Sequence, residues 1–204
     1  MDRRTHWEEV YRTKQPTDVS WYQADPARSL ALIAAAGLDP TDPIIDVGGG
    51  ASLLVDRLLA LGYRDLTVLE IAAPALDPVR RRLGPSAEHV TLIQADVTAF
   101  VPTRQYALWH DRAVFHFLTE AADRQAYFRA LKAALRPAGH AIIATFALDG
   151  PPRCSGLDVV RYDAARLAAE LGPTFNLVQL EREQHVTPAE RVQSFQYCWF
   201  TAVA

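Results

Sequence analysis

The chain has 204 residues, half of them hydrophobic and 22% charged, with a formal net charge of −3. That length suits a single α/β domain with a full core, and the weak negative charge offers no electrostatic attraction for nucleic acid or an anionic membrane. No apolar run approaches membrane-spanning length and no leader pattern opens at Met1, so a cytoplasmic location is expected.

In chain order, Trp7, Val10, Tyr11 and Lys14 place an aromatic-rich stripe on a first helix that Pro16 ends. A second helix, Pro26 to Ala36, stops at Gly37. A first strand, Pro43 to Val47, precedes a helix with Leu54, Leu58 and Leu61 on one face and Gly62 past its end. The second strand is Leu66 to Glu70, followed by a helix from Pro74 to Leu83. Strand three is His89 to Asp96 and strand four Tyr106 to Asp111. Thr119 is expected to cap a helix whose Phe128, Leu131 and Leu135 line up before Pro137 stops it. Strand five is His140 to Phe146, and Asp163 caps a helix bearing Leu167 and Leu171, with Gly172 and Pro173 as its stop. Two last strands, Phe175 to Glu181 and Val192 to Ala202, have no helix between them and read as an antiparallel hairpin. Strands alternating with helices imply a mostly parallel sheet covered on both faces. Ligands of such sheets sit beyond the carboxyl ends of the strands, where the winding reverses.

The glycine turn Asp46-Val47-Gly48-Gly49-Gly50-Ala51-Ser52 occupies such a position. A nicotinamide fingerprint needs a third glycine where Leu53 stands, and a P-loop needs a lysine that is missing. What stands here is D-x-G-x-G-x-S, with Glu70 twenty residues after Gly50 at the tip of strand two. An acid there accepts hydrogen bonds from ribose hydroxyls and repels a 2′-phosphate. Asp96 and Val97, closing strand three, can meet an adenine amino group and ring.

This set resembles the class I S-adenosylmethionine (SAM)-dependent methyltransferases over essentially the whole chain. The resemblance implies a Rossmann-like, seven-stranded sheet of order 3-2-1-4-5-7-6 with strand seven antiparallel. It implies that Asp46, Gly48 and Gly50 frame the methionine portion of SAM, that Glu70 holds the ribose, and that Asp96 and Val97 hold the adenine; Gly49, Ser52 and Ile71 are expected to bind the cofactor with them. Arg136-Pro137-Ala138-Gly139 stands where the family has a PGG-like turn, with Ala138 as a departure. The string from Trp109 to Thr119, with the pattern after strand five, resembles an uncharacterised bacterial subgroup and, more distantly, small protein-lysine methyltransferases.

Such a site needs a lid to exclude water, and two segments qualify. One is amino-terminal, within residues 1–40: Trp7 and Tyr11 are expected to pack a helix onto the sheet, whereas Trp21 and Tyr22 fit either packing or closure over the cofactor. The other is the loop of residues 147–161 after strand five, at the edge of a core spanning 41–204. His110 and Asp111, at the tip of strand four, and His116 beyond it are the candidate catalytic groups. Each has a competing structural role: an ion pair from Asp111 to Arg112 or Arg161, or an aromatic patch around His116. His185 is read on the final hairpin turn. Cys154 and Cys198 are far apart and read as free thiols. No metal site is expected, because only the loosely spaced His110 and His116 share an element. The run Arg80-Arg81-Arg82 reads as a solvated helix face. The expected activity is methyl transfer to a small molecule or a protein side chain. The alternatives are a non-catalytic SAM- or adenosine-binding module and, disfavoured by Leu53, a nicotinamide oxidoreductase.

Overall fold

The computed structural model describes residues 2–203; Met1 and Ala204, the two ends of the expected single domain, lie outside them. The elements run α1 (Arg3–Thr13), α2 (Ala27–Ala35), β1 (Ile44–Val47), α3 (Leu54–Ala60), β2 (Leu66–Glu70), α4 (Ala73–Leu83), β3 (Val90–Gln94), β4 (Tyr106–Arg112), α5 (Ala121–Ala134) and β5 (Leu135–Phe146). They continue with the two-residue strands β6 (Arg153–Cys154) and β7 (Leu157–Asp158), then α6 (Ala164–Leu171), β8 (Phe175–Val186) and β9 (Val192–Ala202). The main sheet has the order β3-β2-β1-β4-β5-β9-β8, with β6 and β7 forming a separate hairpin. The first five strands are parallel, and β9 runs antiparallel to both β5 and β8. This is the Rossmann-like methyltransferase order expected from the sequence, with the winding reversing between β1 and β4.

Strand alternation divides the core into two layers. On one face Ile44, Leu66, Val68, Leu108 and Ile142 pack against α2, α3 and α4. On the other, Ile45, Leu69, Trp109 and Ile143 pack against α5 and α6. No described helix is long and apolar enough to cross a membrane.

Four local expectations are corrected. Leu61 is 61% exposed, because α3 ends at Ala60 and the chain turns through Gly62 at φ 98°. Glu120, not Thr119, is the residue before α5, and no side chain caps that helix. Leu135 and Pro137 belong to β5: pairing jumps from Tyr106–Leu135 to Leu108–His140, so Pro137 sits in a bulge where no ladder N–H is demanded. Ala138 takes φ 57° in that bulge, a strained conformation for the residue that replaces glycine. β8 extends to Val186, so His185 lies within the strand, buried, with Nε2 2.7 Å from the Ser20 carbonyl. The Asp163 cap is as expected, its carboxylate accepting the Arg166 N–H at 2.8 Å.

Candidate cofactor and acceptor site

The strand parity that builds the core also builds the site. Following the apolar series Ile44, Val68 and Leu108 toward the carboxyl ends, the last residues on that face are Asp46, Glu70, His110 and Arg112. Four polar tips therefore crowd the reversal point beneath the glycine turn.

Two glycines fit this turn for separate reasons. Gly48 has φ 65°, and a Cβ there would collide with Val114 Cγ2. Gly50 has φ 45°, and a Cβ would stand 2.5 Å from the Tyr11 hydroxyl and 3.0 Å from Glu70 Oε2. At Gly49 the obstacle is the Asp46 carboxylate, 2.5 Å away. Beyond the turn α3 begins only at Leu54, whose N–H is taken by Ser52 Oγ at 3.1 Å. Ser52 thus serves the helix start, and α3 begins three residues later than Ala51.

Two adjoining compartments open here. They share Tyr11, Trp21, Val47, Gly48 and Arg112 as walls. The first is bordered by Glu70, Ile71, Asp96 and Val97, the expected adenosine end. The second is bordered by Asp46, Gly49, Ser52 and His110, the expected methionine end, and by Tyr22.

Glu70 is 4% exposed, and its carboxylate accepts the Ala72 N–H at 2.9 Å. Burial outweighs that bond and pushes its pKa up to about 7. Asp96 accepts both the N–H and the hydroxyl of Thr98 at 2.8 Å, capping the turn that carries Val97. It is also paired with Arg3 of α1 at 3.2 Å, and Arg3 reaches Asp123 at 2.5 Å, so the first helix is tied across the adenosine end. Asp46 lies 2.7 Å from His110 Nδ1, and His110 Nε2 lies 2.9 Å from Ser29 Oγ, all three nearly fully buried.

The other candidates on this segment point away. Asp111 has the opposite parity to His110 and is fully buried among α5 residues. Its carboxylate accepts N–H groups of Val114 at 2.9 Å and Phe115 at 3.1 Å, and the Tyr127 hydroxyl at 2.7 Å. Burial raises its pKa to about 6 despite these bonds. Neither Arg112 nor Arg161 pairs with it. His116 is fully buried with its Nδ1 accepting the Phe146 N–H at 3.3 Å, its ring 4.5 Å from Phe117 and 4.7 Å from Phe146. Burial, aided by the Arg112 charge, lowers its pKa to about 3 and keeps it neutral. Neither Asp111 nor His116 borders either compartment.

Sequence reading assigned Trp7 and Tyr11 to packing, yet both line the crevice. Trp7 stacks edge-on with Trp21 at 5.6 Å and Phe117 at 5.0 Å, and the Tyr11 hydroxyl is held well above its usual pKa by burial and by Glu70. Arg112 and Ser29 were also not assigned to the site. Arg112 shares the parity of His110, which was the available signal; Ser29 carried none. From the second lid Cys154 borders the first compartment, its thiol pKa raised by burial. Among the described residues no group of three or more metal-ligating side chains is gathered. Arg82 pairs with Asp56 at 2.6 Å and donates to the carbonyl of Ser52, a wall residue of the second compartment, at 2.7 Å, while Arg80 pairs with Asp77 at 2.9 Å; neither arginine itself borders a compartment.

An open sheet wound in this order, with acids at the tips of β1 to β3 around a glycine turn, has the class I methyltransferase fold. Residues 44–139, from β1 into β5, match the family described as "Methyltransferase domain", which bears out the resemblance read from the motifs. A curated relative, the eEF1A lysine and N-terminal methyltransferase of Mus musculus, is 23% identical over 93 residues, 46% of this chain and only 13% of that protein. A structure concerned with the conversion of a disulfide bond into a thioacetal group during echinomycin biosynthesis superposes with a TM-score of 0.81 at 17% identity, covering 99% of this chain and 94% of that one. The Burkholderia thailandensis 1,6-didemethyltoxoflavin-N1-methyltransferase, holding 1,6-didemethyltoxoflavin and S-adenosylhomocysteine, gives 0.71 at 20% identity, with 98% and 84% covered.

Proposed function

We propose that this protein is a SAM-dependent methyltransferase acting on a small molecule. It works as one domain in which residues 1–40 form the lid and residues 41–204 the cofactor core, with residues 147–161 edging the acceptor side. The observation that carries the reading is the buried Glu70 carboxylate at the tip of β2, bordering the same crevice as Gly48 and Asp96. The donor set fits SAM: acids for ribose hydroxyls and an adenine amino group, bare backbone at Gly48 and Gly50, and no lysine to receive a pyrophosphate. Bound S-adenosylhomocysteine in the toxoflavin-type methyltransferase supports the same ligand class.

SAM supplies a sulfonium-activated methyl group. Glu70 and Ile71 would hold its ribose, Asp96 and Val97 its adenine, and Asp46 with Gly48, Gly49 and Gly50 its methionine part. His110, held between Asp46 and Ser29, fixes that acid in place and acts as a positioning residue. Trp7, Tyr11, Trp21 and Phe117 exclude water from above, while Tyr22 closes the methionine end. With Asp111 and His116 turned into the core, the protein contributes alignment more than proton transfer. Alignment alone supplies up to roughly 7–11 kcal/mol in the best intramolecular cases.

Calorimetric titration with SAM, S-adenosylhomocysteine and NAD tests the assignment. Both sulfur compounds are expected to bind and NAD to give no heat; binding of NAD alone refutes the reading. Equal SAM affinity in the wild type and Glu70→Ala refutes the ribose role.

A further inference from the structure

Arg3, Trp7 and Tyr11 stand four residues apart in α1, so one helix face carries all three, and all three border the first compartment. At the start of the helix Arg3 Nη1 donates to both oxygens of Asp96, at 3.3 Å to Oδ1 and 3.2 Å to Oδ2, and Nη2 donates to Asp123 of α5 at 2.5 Å. Oδ1 also receives the N–H and hydroxyl of Thr98; among the described residues Oδ2 receives Arg3 alone. Toward the other end the Tyr11 hydroxyl stands beside Glu70, close enough that a Cβ on Gly50 would meet both. The acids at the tips of β2 and β3 are thus both faced by α1. Apart from the edge contacts of Trp7 with Trp21 and Phe117, little else holds this helix down. It has 11 residues, fewer than a helix needs to stand alone, and Val10 is its one buried residue. The segment after it is anchored instead: the Trp21 carbonyl accepts Arg112 Nη1 at 3.0 Å, the Ser20 carbonyl lies 2.7 Å from His185 Nε2, and the Gln23 amide donates to Glu183 at 3.0 Å. Between helix and anchor, Lys14, Gln15, Thr17 and Asp18 are exposed.

We propose that α1 is a gate on cofactor exchange, latched shut by Arg3, which must release Asp96 before an adenosine ligand can take it. This rests on the methyltransferase reading and deepens it. An adenine amino group needs the carboxylate oxygen that Arg3 holds, so latching and binding are alternatives at one atom. The helix swings about residues 14–18 while residues 20–23 stay on the sheet. Asp123 borders neither compartment and is the second jaw of the latch, holding Arg3 over the adenosine end. A site that is competent only when the latch is open binds more weakly in proportion to the closed fraction, so loosening the latch speeds entry and raises affinity. Reclosure over the ligand then rests on Trp7 and Tyr11.

The test mixes the full chain rapidly with S-adenosylhomocysteine and follows the fluorescence of Trp7 and Trp21 at the crevice, which gives association and dissociation rates; calorimetry gives the affinity independently. Asp123→Asn loses one ion pair and leaves Asp96 intact, and its association is expected to quicken by roughly two- to fivefold. Arg3→Ala loses both pairs and is expected to quicken further, up to roughly thirtyfold. Affinity in each variant is expected to equal or exceed that of the wild type. All three latch side chains are partly exposed, so neither substitution endangers the fold. Association unchanged in both variants overturns the inference. So does an affinity weakened through faster dissociation alone, which would make Arg3 a clasp over the bound ligand and not a bar to its entry. If S-adenosylhomocysteine fails to bind the wild type, the methyltransferase reading falls and the inference with it; if it binds at rates that neither substitution alters, the inference alone falls.

Discussion

If Glu70 holds the ribose as proposed, it should couple cofactor binding to pH, and the size of the coupling follows from its surroundings. The carboxyl is buried, and its pKa rises from an ordinary 4.5 to about 7. Ribose hydroxyls donate, so they bind the ionised carboxylate and not the acid. At pH 5 the acid form dominates by about two pK units, so SAM affinity there should fall by up to roughly a hundredfold, close to 3 kcal/mol, relative to pH 7.5. Binding below pH 7 should release about one proton, visible as a buffer-dependent calorimetric enthalpy. Glu70→Gln should lower affinity at pH 7.5 yet flatten its pH dependence, leaving only titration of the ligand's own amino group. The stability sign follows from the same shift. Because the folded state holds this proton more tightly than the unfolded chain, the Glu70 contribution is most favourable below pH 4.5 and is lost as pH rises through 7. A wild-type affinity that is flat from pH 5 to 7.5, or a slope that survives in Glu70→Gln, refutes the ribose assignment or the buried acid behind it.

Other substitutions separate binding from scaffold. Gly48→Ala must take φ 65°, costing about 1–2 kcal/mol, and must displace Val114 at about 1–3 kcal/mol more. Urea unfolding should therefore show a loss of roughly 2–5 kcal/mol, eased when Val114→Ala is added, and no easing would locate the clash elsewhere. Asp111→Asn leaves at least one buried donor unmatched, at about 1–3 kcal/mol each; the melting temperature should drop while S-adenosylhomocysteine affinity holds. Lost binding or turnover at unchanged stability would return Asp111 to the chemistry. Arg3→Ala removes two partly exposed ion pairs worth about 0–1 kcal/mol each. Global stability should barely move, but amide exchange in α1 should quicken several-fold; unchanged exchange would mean that Arg3 does not tie the lid down.

Much of this architecture was legible because local signals agreed with one another. Apolar runs, glycine stops and the Asp163 cap fixed the elements, and the lack of a helix between β8 and β9 gave their antiparallel pairing. What failed was decided by tertiary packing. Leu135 fits a helical stripe, yet it pairs with Tyr106 as the first residue of β5. Leu61 keeps helical spacing with Leu58, but the helix has ended before it. Trp7 and Tyr11 show the same amphipathic pattern whether a helix packs on a core or covers a ligand, so only the fold distinguishes these roles. Arg3, whose partners are 93 and 120 residues away, left no local trace.

The strand-four tip is the most instructive case, because alternation there was readable and overlooked. His110 and Asp111 were assigned to the same site, yet adjacent residues of a strand project to opposite faces. Trp109 is large and apolar and belongs under a helix, so Asp111 must follow it there, where Tyr127 and two backbone N–H groups satisfy it. His110 then shares a face with Asp46, its register partner on β1, and the two side chains meet at 2.7 Å. By the same count Arg112 is the next residue on that face and reaches the crevice. Neighbouring strands carry the rule across: Val68 is the register partner of Asp46, and Glu70 follows it on the same side. One parity thus gathers the polar tips at the winding reversal and sends Asp111, the only carboxylate of the string, into the scaffold that holds them.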